Sequence, residues 1–180
     1  MTKALVVARA LAVAVAVAVA AAGCGAISFD VSQSVPEQQV PGSPLGGILP
    51  SFLPQPFPIT IDIQQETARR STGPASSANL KQVEFQITPH DSPQGTFDFV
   101  DEIHIFVAPS QSSGSSLPMV EIANLKPVPK GQTRIDLTIV KGVDLLPYIN
   151  AGASISATAS GHAPAGTVTY DGSVTVTVHI

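Results

Sequence analysis

Strict alternation of apolar and polar residues constrains this chain more than any other feature. Ile59, Ile61 and Ile63 alternate with Thr60, Asp62 and Gln64, and Val83, Phe85 and Ile87 with Gln82, Glu84, Gln86 and Thr88. Ile103, Ile105 and Val107 are offset by Glu102, His104 and Phe106, and Ile135, Leu137 and Ile139 by Arg134, Asp136 and Thr138. Val174, Val176, Val178 and Ile180 close the series against Ser173, Thr175, Thr177 and His179. A period of two puts every apolar side chain on one face of a strand, whereas a helix needs a period near 3.6. Ile27, Phe29 and Val31 repeat the pattern upstream, with shorter versions at Val120 and Ile122 and at Ala153, Ile155, Ala157 and Ala159. Each such segment has to bury one face against a second sheet. The expectation is an all-β fold: a single antiparallel β-sandwich of seven or eight strands, immunoglobulin-like in outline but lacking the Cys-Trp-Cys core signature, since the chain has one Cys and no Trp.

Between the strands lie turn-rich connections at 71–79, 90–96, 110–116, 127–132 and 161–166. The Ser-Gly tract at 111–116 carries too little apolar surface to order itself and reads as a mobile loop. One helical turn is expected, with Asp144 capping Leu145, Leu146, Pro147 and Tyr148 and Gly152 ending it. Asp171-Gly172 reads either as a hairpin turn or as a bulge within one long C-terminal strand.

The first 23 residues have a different character. Lys3 and Arg9 precede an unbroken apolar run from Ala10 to Ala22. As a helix those residues would span about 20 Å, against a bilayer core of about 30 Å. A basic start, a short apolar stretch and small residues before the break are the marks of a secretory signal peptide. Ala21-Ala22-Gly23-Cys24 then resembles the lipobox of bacterial lipoproteins, although Ala21 stands where that family usually has Leu. The resemblance covers only the leader and implies that Cys24 is acylated with diacylglycerol and becomes the N-terminus after removal of 1–23. It implies anchoring in a membrane through that lipid, palmitate being a typical chain. Gly25, in place of the Asp that retains many such proteins at the inner membrane, favours the outer membrane in a two-membrane bacterium. The alternative is plain cleavage after an A-x-A-like triplet, giving a secreted or periplasmic protein with a free thiol.

The expected organisation is therefore a signal peptide at 1–23, then an acylated N-terminus, first strand (26–33) and Pro-rich apolar segment at 24–58, then the sandwich at 59–180. The Pro-rich part, Pro36 to Pro58, includes Leu45, Ile48, Leu49, Phe52, Leu53 and Phe57, unlike a simple tether. Leu49, Phe52, Leu53 and Phe57 are the candidates for a partner- or membrane-facing patch; the competing expectation is that they cover a sandwich edge or cap the core.

Chemistry-bearing residues are sparse. The net charge of −4, with no Lys/Arg run, argues against nucleic acid as a partner. Asp98, Asp101 and Glu102, with His104 beyond them, form the one acidic cluster and the weak candidates for a metal, but they lack both the calcium-loop and the zinc spacings. The remaining histidines, His90, His162 and His179, are isolated. A G-x-S-x-G elbow is missing from the sequence, and no cofactor is expected. The sequence thus points away from an enzyme and toward a lipid-anchored envelope protein. Its sandwich would act in binding or adhesion, with an envelope protein or a glycan as partner, or as a structural part of an envelope complex. A secreted hydrolase with a spatially assembled site is the alternative.

Overall fold

The computed structural model describes residues 27–49, 52, 57–88 and 95–180. Cys24 and the whole leader lie outside the described residues. Among the described residues, nine strands form two antiparallel sheets. β1 (Ser28–Val40), β9 (Val168–His179), β3 (Ser77–Ile87) and β6 (Arg134–Asp136) make one, in that order. β2 (Phe57–Pro58), β8 (Ser154–Gly161), β4 (Val100–Ala108), β5 (Val120–Leu125) and β7 (Thr138–Ile139) make the other. The first strand pairs with the last, and β1, β2, β3 and β4 pass alternately from sheet to sheet. With the two-residue β7 set aside, this is the two-by-four strand order of a jelly roll, which gives the expected antiparallel sandwich its specific connectivity.

The alternation explains the packing. Val83, Phe85 and Ile87 on β3 and Val174, Val176 and Val178 on β9 are buried, as are Ile103, Ile105 and Val107 on β4 and Ile155 on β8. They meet in one core. Asp171-Gly172 proves to lie inside a continuous β9, where a Cβ on Gly172 would come within 2.3 Å of the Glu84 carbonyl oxygen. The run Ile135, Leu137, Ile139 is not one strand: β6 pairs with β3, β7 pairs with β5, and Leu137 is the buried pivot between the two sheets.

The Ile59, Ile61, Ile63 segment departs furthest from expectation. All three side chains are buried, yet strand pairing stops at Pro58 and helix α1 runs from Ile63 to Arg69. Asp62 caps it by accepting from the Gln65 amide at 2.9 Å, and Ile63 and Thr67, four apart, form its buried stripe. The Ile59 amide goes to the Ala153 carbonyl at 2.8 Å and the Thr60 amide to the Gln33 side chain at 2.8 Å, so the backbone is satisfied without a ladder. The second helix, α2 (Leu146–Asn150), lies where expected but starts one residue later, with Leu145 at its N-cap position; Asp144 Oδ1 still accepts from the Leu146 amide at 3.0 Å, and Gly152 follows at φ +67°. Nor is the Ser-Gly tract bare chain. Ser113 Oγ donates to the Ser110 carbonyl at 2.6 Å, the Ser110 and Ser112 hydroxyls lie 2.7 Å apart, and Gly114 turns the chain at φ +63°. Local hydroxyl bonds supply the order that apolar surface does not.

Candidate functional site

Strand pairing sorts the loops to two ends. Ser28 and Ser77 both lie beside His179, so the chain enters the sandwich at the end that also carries α1, α2 and the 109–119 connection. At the opposite end lie residues 41–49, 95–99, 126–133 and 161–166. β1 spans the distance between them: 13 residues at about 3.4 Å each give about 40 Å.

At the far end, Ser43-Pro44-Leu45-Gly46 forms a turn. The Gly46 amide donates to the Ser43 carbonyl at 3.0 Å, and Ser43 Oγ donates back to the Gly46 carbonyl at 2.6 Å. Backbone bonds from Ser43 to Pro164 at 2.7 Å and from Ala163 to Gly47 at 3.0 Å lash the turn to the 161–166 loop. The result is a fixed tip from which Leu45 and Ile48 project, 99% and 92% exposed. Residues 41–49 and 161–166 contain no Asp, Glu, Lys or Arg, and His162 is their one titratable side chain.

Two of the sequence-predicted contact residues go elsewhere. Leu49 is 8% exposed and Phe52 1% exposed, which removes both from any surface patch. Phe52 stacks on Tyr170 with centroids 4.7 Å apart and meets Phe85 edge-on at 5.3 Å. The Tyr170 hydroxyl donates to the Phe52 carbonyl, and burial pushes the Tyr170 phenol well above its ordinary range. Aromatic burial and one satisfied carbonyl thus hold the segment against the core. Leu53 and the side chain of Phe57 lie outside the described residues. Sequence reasoning missed Leu45 and Ile48 as the exposed pair; the signal was turn chemistry, Pro at the second and Gly at the fourth position of the turn.

Beside the tip lies the acidic cluster, already paired. Asp98 accepts from the Gly131 amide, which with the Thr96 hydroxyl holds its carboxyl below the usual range. Asp101 meets Lys130 Nζ at 3.2 Å, and Lys130 also donates to the Asp98 carbonyl at 2.9 Å. Glu102 is bonded to Lys126, which lowers its carboxyl too. The three carboxylates therefore do not converge on a common point, and among the described residues no group of three His, Cys, Asp or Glu side chains could hold a metal ion. His104 forms its hydrogen bond with Glu121 on the neighbouring strand. Its Nδ1 lies 3.0 Å from Glu121 Oε1, which accepts from Asn124 Nδ2 at 2.8 Å, and these contacts lower the Glu121 carboxyl.

At the near end, shallow clefts flank α1. One, about 300 Å³, lies between residues 59–64 and Ile149 and Asn150; another, about 260 Å³, runs between Ile63, Thr67, Pro74 and Leu146. Their linings mix isoleucine and leucine side chains with Thr and amide groups, and the first also holds the Asp62 carboxylate, which is engaged as the cap of α1.

No family model matches the sequence, and no curated protein matches it. Among solved structures, a crystal structure of a decameric BFDV capsid protein aligns over 85% of this chain and 99% of that chain, at 10% identity and a TM-score of 0.34. At that TM-score no conclusion about function passes from one protein to the other.

Proposed function

We propose that the chain is a bacterial envelope lipoprotein, held at a membrane by acyl chains on Cys24, whose jelly-roll domain binds a partner at the end away from the anchor. The outer membrane is its place in a two-membrane cell, and the partner is an envelope protein or a glycan. The lipobox-like residues support the anchor, and β1 supports the direction, since it begins four residues after Cys24 and ends next to the tip. The observation that carries the binding reading is the hydrogen-bonded turn that keeps Leu45 and Ile48 99% and 92% exposed. A chain gains nothing for its own fold by such exposure. Covering a side chain of this size contributes about 1.5–3 kcal/mol.

Growth with a labelled fatty acid tests the anchor: label enters the wild-type chain and is lost in Cys24→Ser. Label retained in the variant overturns the anchor. For the tip, Leu45→Ser/Ile48→Ser leaves melting unchanged and abolishes recovery of the partner that co-purifies from detergent-solubilised envelopes. Undiminished recovery overturns the binding surface.

A further inference from the structure

Among the described residues β1 is the longest strand, and it stands at the edge of its sheet. Its two sets of backbone groups can be told apart. The Ile180 amide donates to the Ile27 carbonyl at 2.9 Å, and hydrogen-bonded pairs alternate along an antiparallel ladder. Phe29, Val31 and Gln33 therefore exchange bonds with Val178, Val176 and Val174 of β9. The amides and carbonyls of Ser28, Asp30, Ser32 and Ser34 face the other way. Among the described residues those groups have no hydrogen-bond partner. Pro36 and the register shift between Val35 and Gln38 end the regular stretch.

A free edge of this length is a template for another strand unless charge, proline or a covering element blunts it. Asp30 is the one charged residue between Ser28 and Ser34, and its carboxylate is engaged on the sheet face by Lys81 and by Thr177 Oγ1 at 2.7 Å. We propose that β1 pairs antiparallel with β1 of a second copy of this chain, joining the two four-stranded sheets into one.

The register follows from the sequence. With the two-fold axis at Val31, Ser28 lies opposite the second copy's Ser34 and Asp30 opposite its Ser32. This is the register that uses all four outward-facing residues. A shift that centres the axis on Asp30 sets two carboxylates face to face, and one centred on Ser32 leaves Ser28 opposite Pro36, which has no amide to donate. On the inner side, Phe29, over whose ring the Arg70 guanidinium lies at 4.3 Å, stands opposite Gln33, whose Oε1 accepts from the Thr60 amide, and the two Val31 side chains meet each other, beside a cleft of about 200 Å³ whose lining includes Val31, Gln33, Ile61 and the carboxylates of Asp62 and Glu66. The pairing does not rest on acylation of Cys24.

The full chain carrying Cys24→Ser and Val31→Cys has a single thiol. At the axis the two residues 31 form a non-hydrogen-bonded pair with Cα atoms about 4.5 Å apart, within disulfide reach. Mild oxidation yields a covalent dimer at position 31, whereas Gln33→Cys in the same background, four positions out of register with its mate, does not cross-link. Independently, the Cys24→Ser chain has a dimer mass by light scattering, and Ser32→Pro, which removes an outward amide, no ladder bond and the 2.8 Å contact of the Ser32 hydroxyl with Thr175 Oγ1, converts it to a folded monomer, whereas Ser32→Ala, which loses that hydroxyl contact alone, stays dimeric. A monomeric Cys24→Ser chain, a dimer indifferent to Ser32→Pro, or equal cross-linking at 31 and 33 overturns the proposal. Loss of fatty-acid label bears on the anchor alone and leaves these readouts unchanged.

Discussion

Phe52 is the test of how the Pro-rich segment behaves. Its ring is 1% exposed, stacked at 4.7 Å on Tyr170 and edge-on at 5.3 Å to Phe85, with Phe97 at 6.4 Å. Phe52→Ala removes a ring from the centre of four aromatic side chains, and such truncations cost about 3–5 kcal/mol when the cavity does not collapse. Collapse is resisted here because Phe85 and Tyr170 belong to paired strands, β3 and β9. Urea unfolding at equilibrium reads the loss as a lower midpoint at unchanged m. Tyr170→Phe isolates the second tie: it keeps the stacked ring and strands the Phe52 carbonyl, costing about 1–3 kcal/mol. Leu45→Ala, at 99% exposure, is the internal control and stays within about 0.5 kcal/mol of wild type. If Phe52→Ala were as mild as Leu45→Ala, the segment would not be part of the core, and its assignment as a docked cap would be wrong.

Three further outcomes follow from single contacts. Asp62→Ala removes the cap on α1 and lowers stability by about 1 kcal/mol in the same urea assay, with Asp62→Asn largely neutral. Gly161 sits at φ +148°, where an added Cβ would lie 2.2 Å from the Phe99 carbonyl oxygen, so Gly161→Ala shifts the backbone and lowers the melting temperature. By contrast, Gly131→Ala, whose Cβ would meet open space, suffers from its positive φ alone and loses less. Acid weakens the fold because Asp30, Asp98, Glu102 and Glu121 all have carboxyls lowered in the folded state. Their contribution is complete above the ordinary carboxylate range, about pH 4, and is lost as pH falls through the depressed folded values. Melting temperature should therefore drop on that acid limb, and Asp98→Asn should make the drop shallower, with a small amplitude because these groups face solvent.

How far the sequence could be read depended on whether local pattern and tertiary context agreed. β3, β4 and β9 were legible because their alternation is uninterrupted and each strand keeps to one sheet. Ile135, Leu137 and Ile139 show why alternation alone falls short: a chain that leaves one sheet at β6 and joins the other at β7 keeps its apolar residues toward the core through the crossing at Leu137. At Ile59 to Ile63 the period of two masked a helix start, although Asp62 followed by Gln65 is an N-terminal capping pattern. The candidate site was legible in part. The acidic cluster could be seen, but Lys126 and Lys130, which pair with it, come from a distant connection. Leu45 and Ile48 could not be told from Leu49 and Phe52 by hydrophobicity, because only the turn at Ser43 to Gly46 decides which side chains point outward.

The central claim is that Cys24 ties this sandwich to a membrane. Mass spectrometry of the N-terminal peptide from the chain purified out of its native envelope tests it most directly. The account predicts a peptide beginning at Cys24 and carrying the mass of a diacylglyceryl group. A peptide with an unmodified Cys24 thiol, or a chain still carrying residues 1–23, would contradict it.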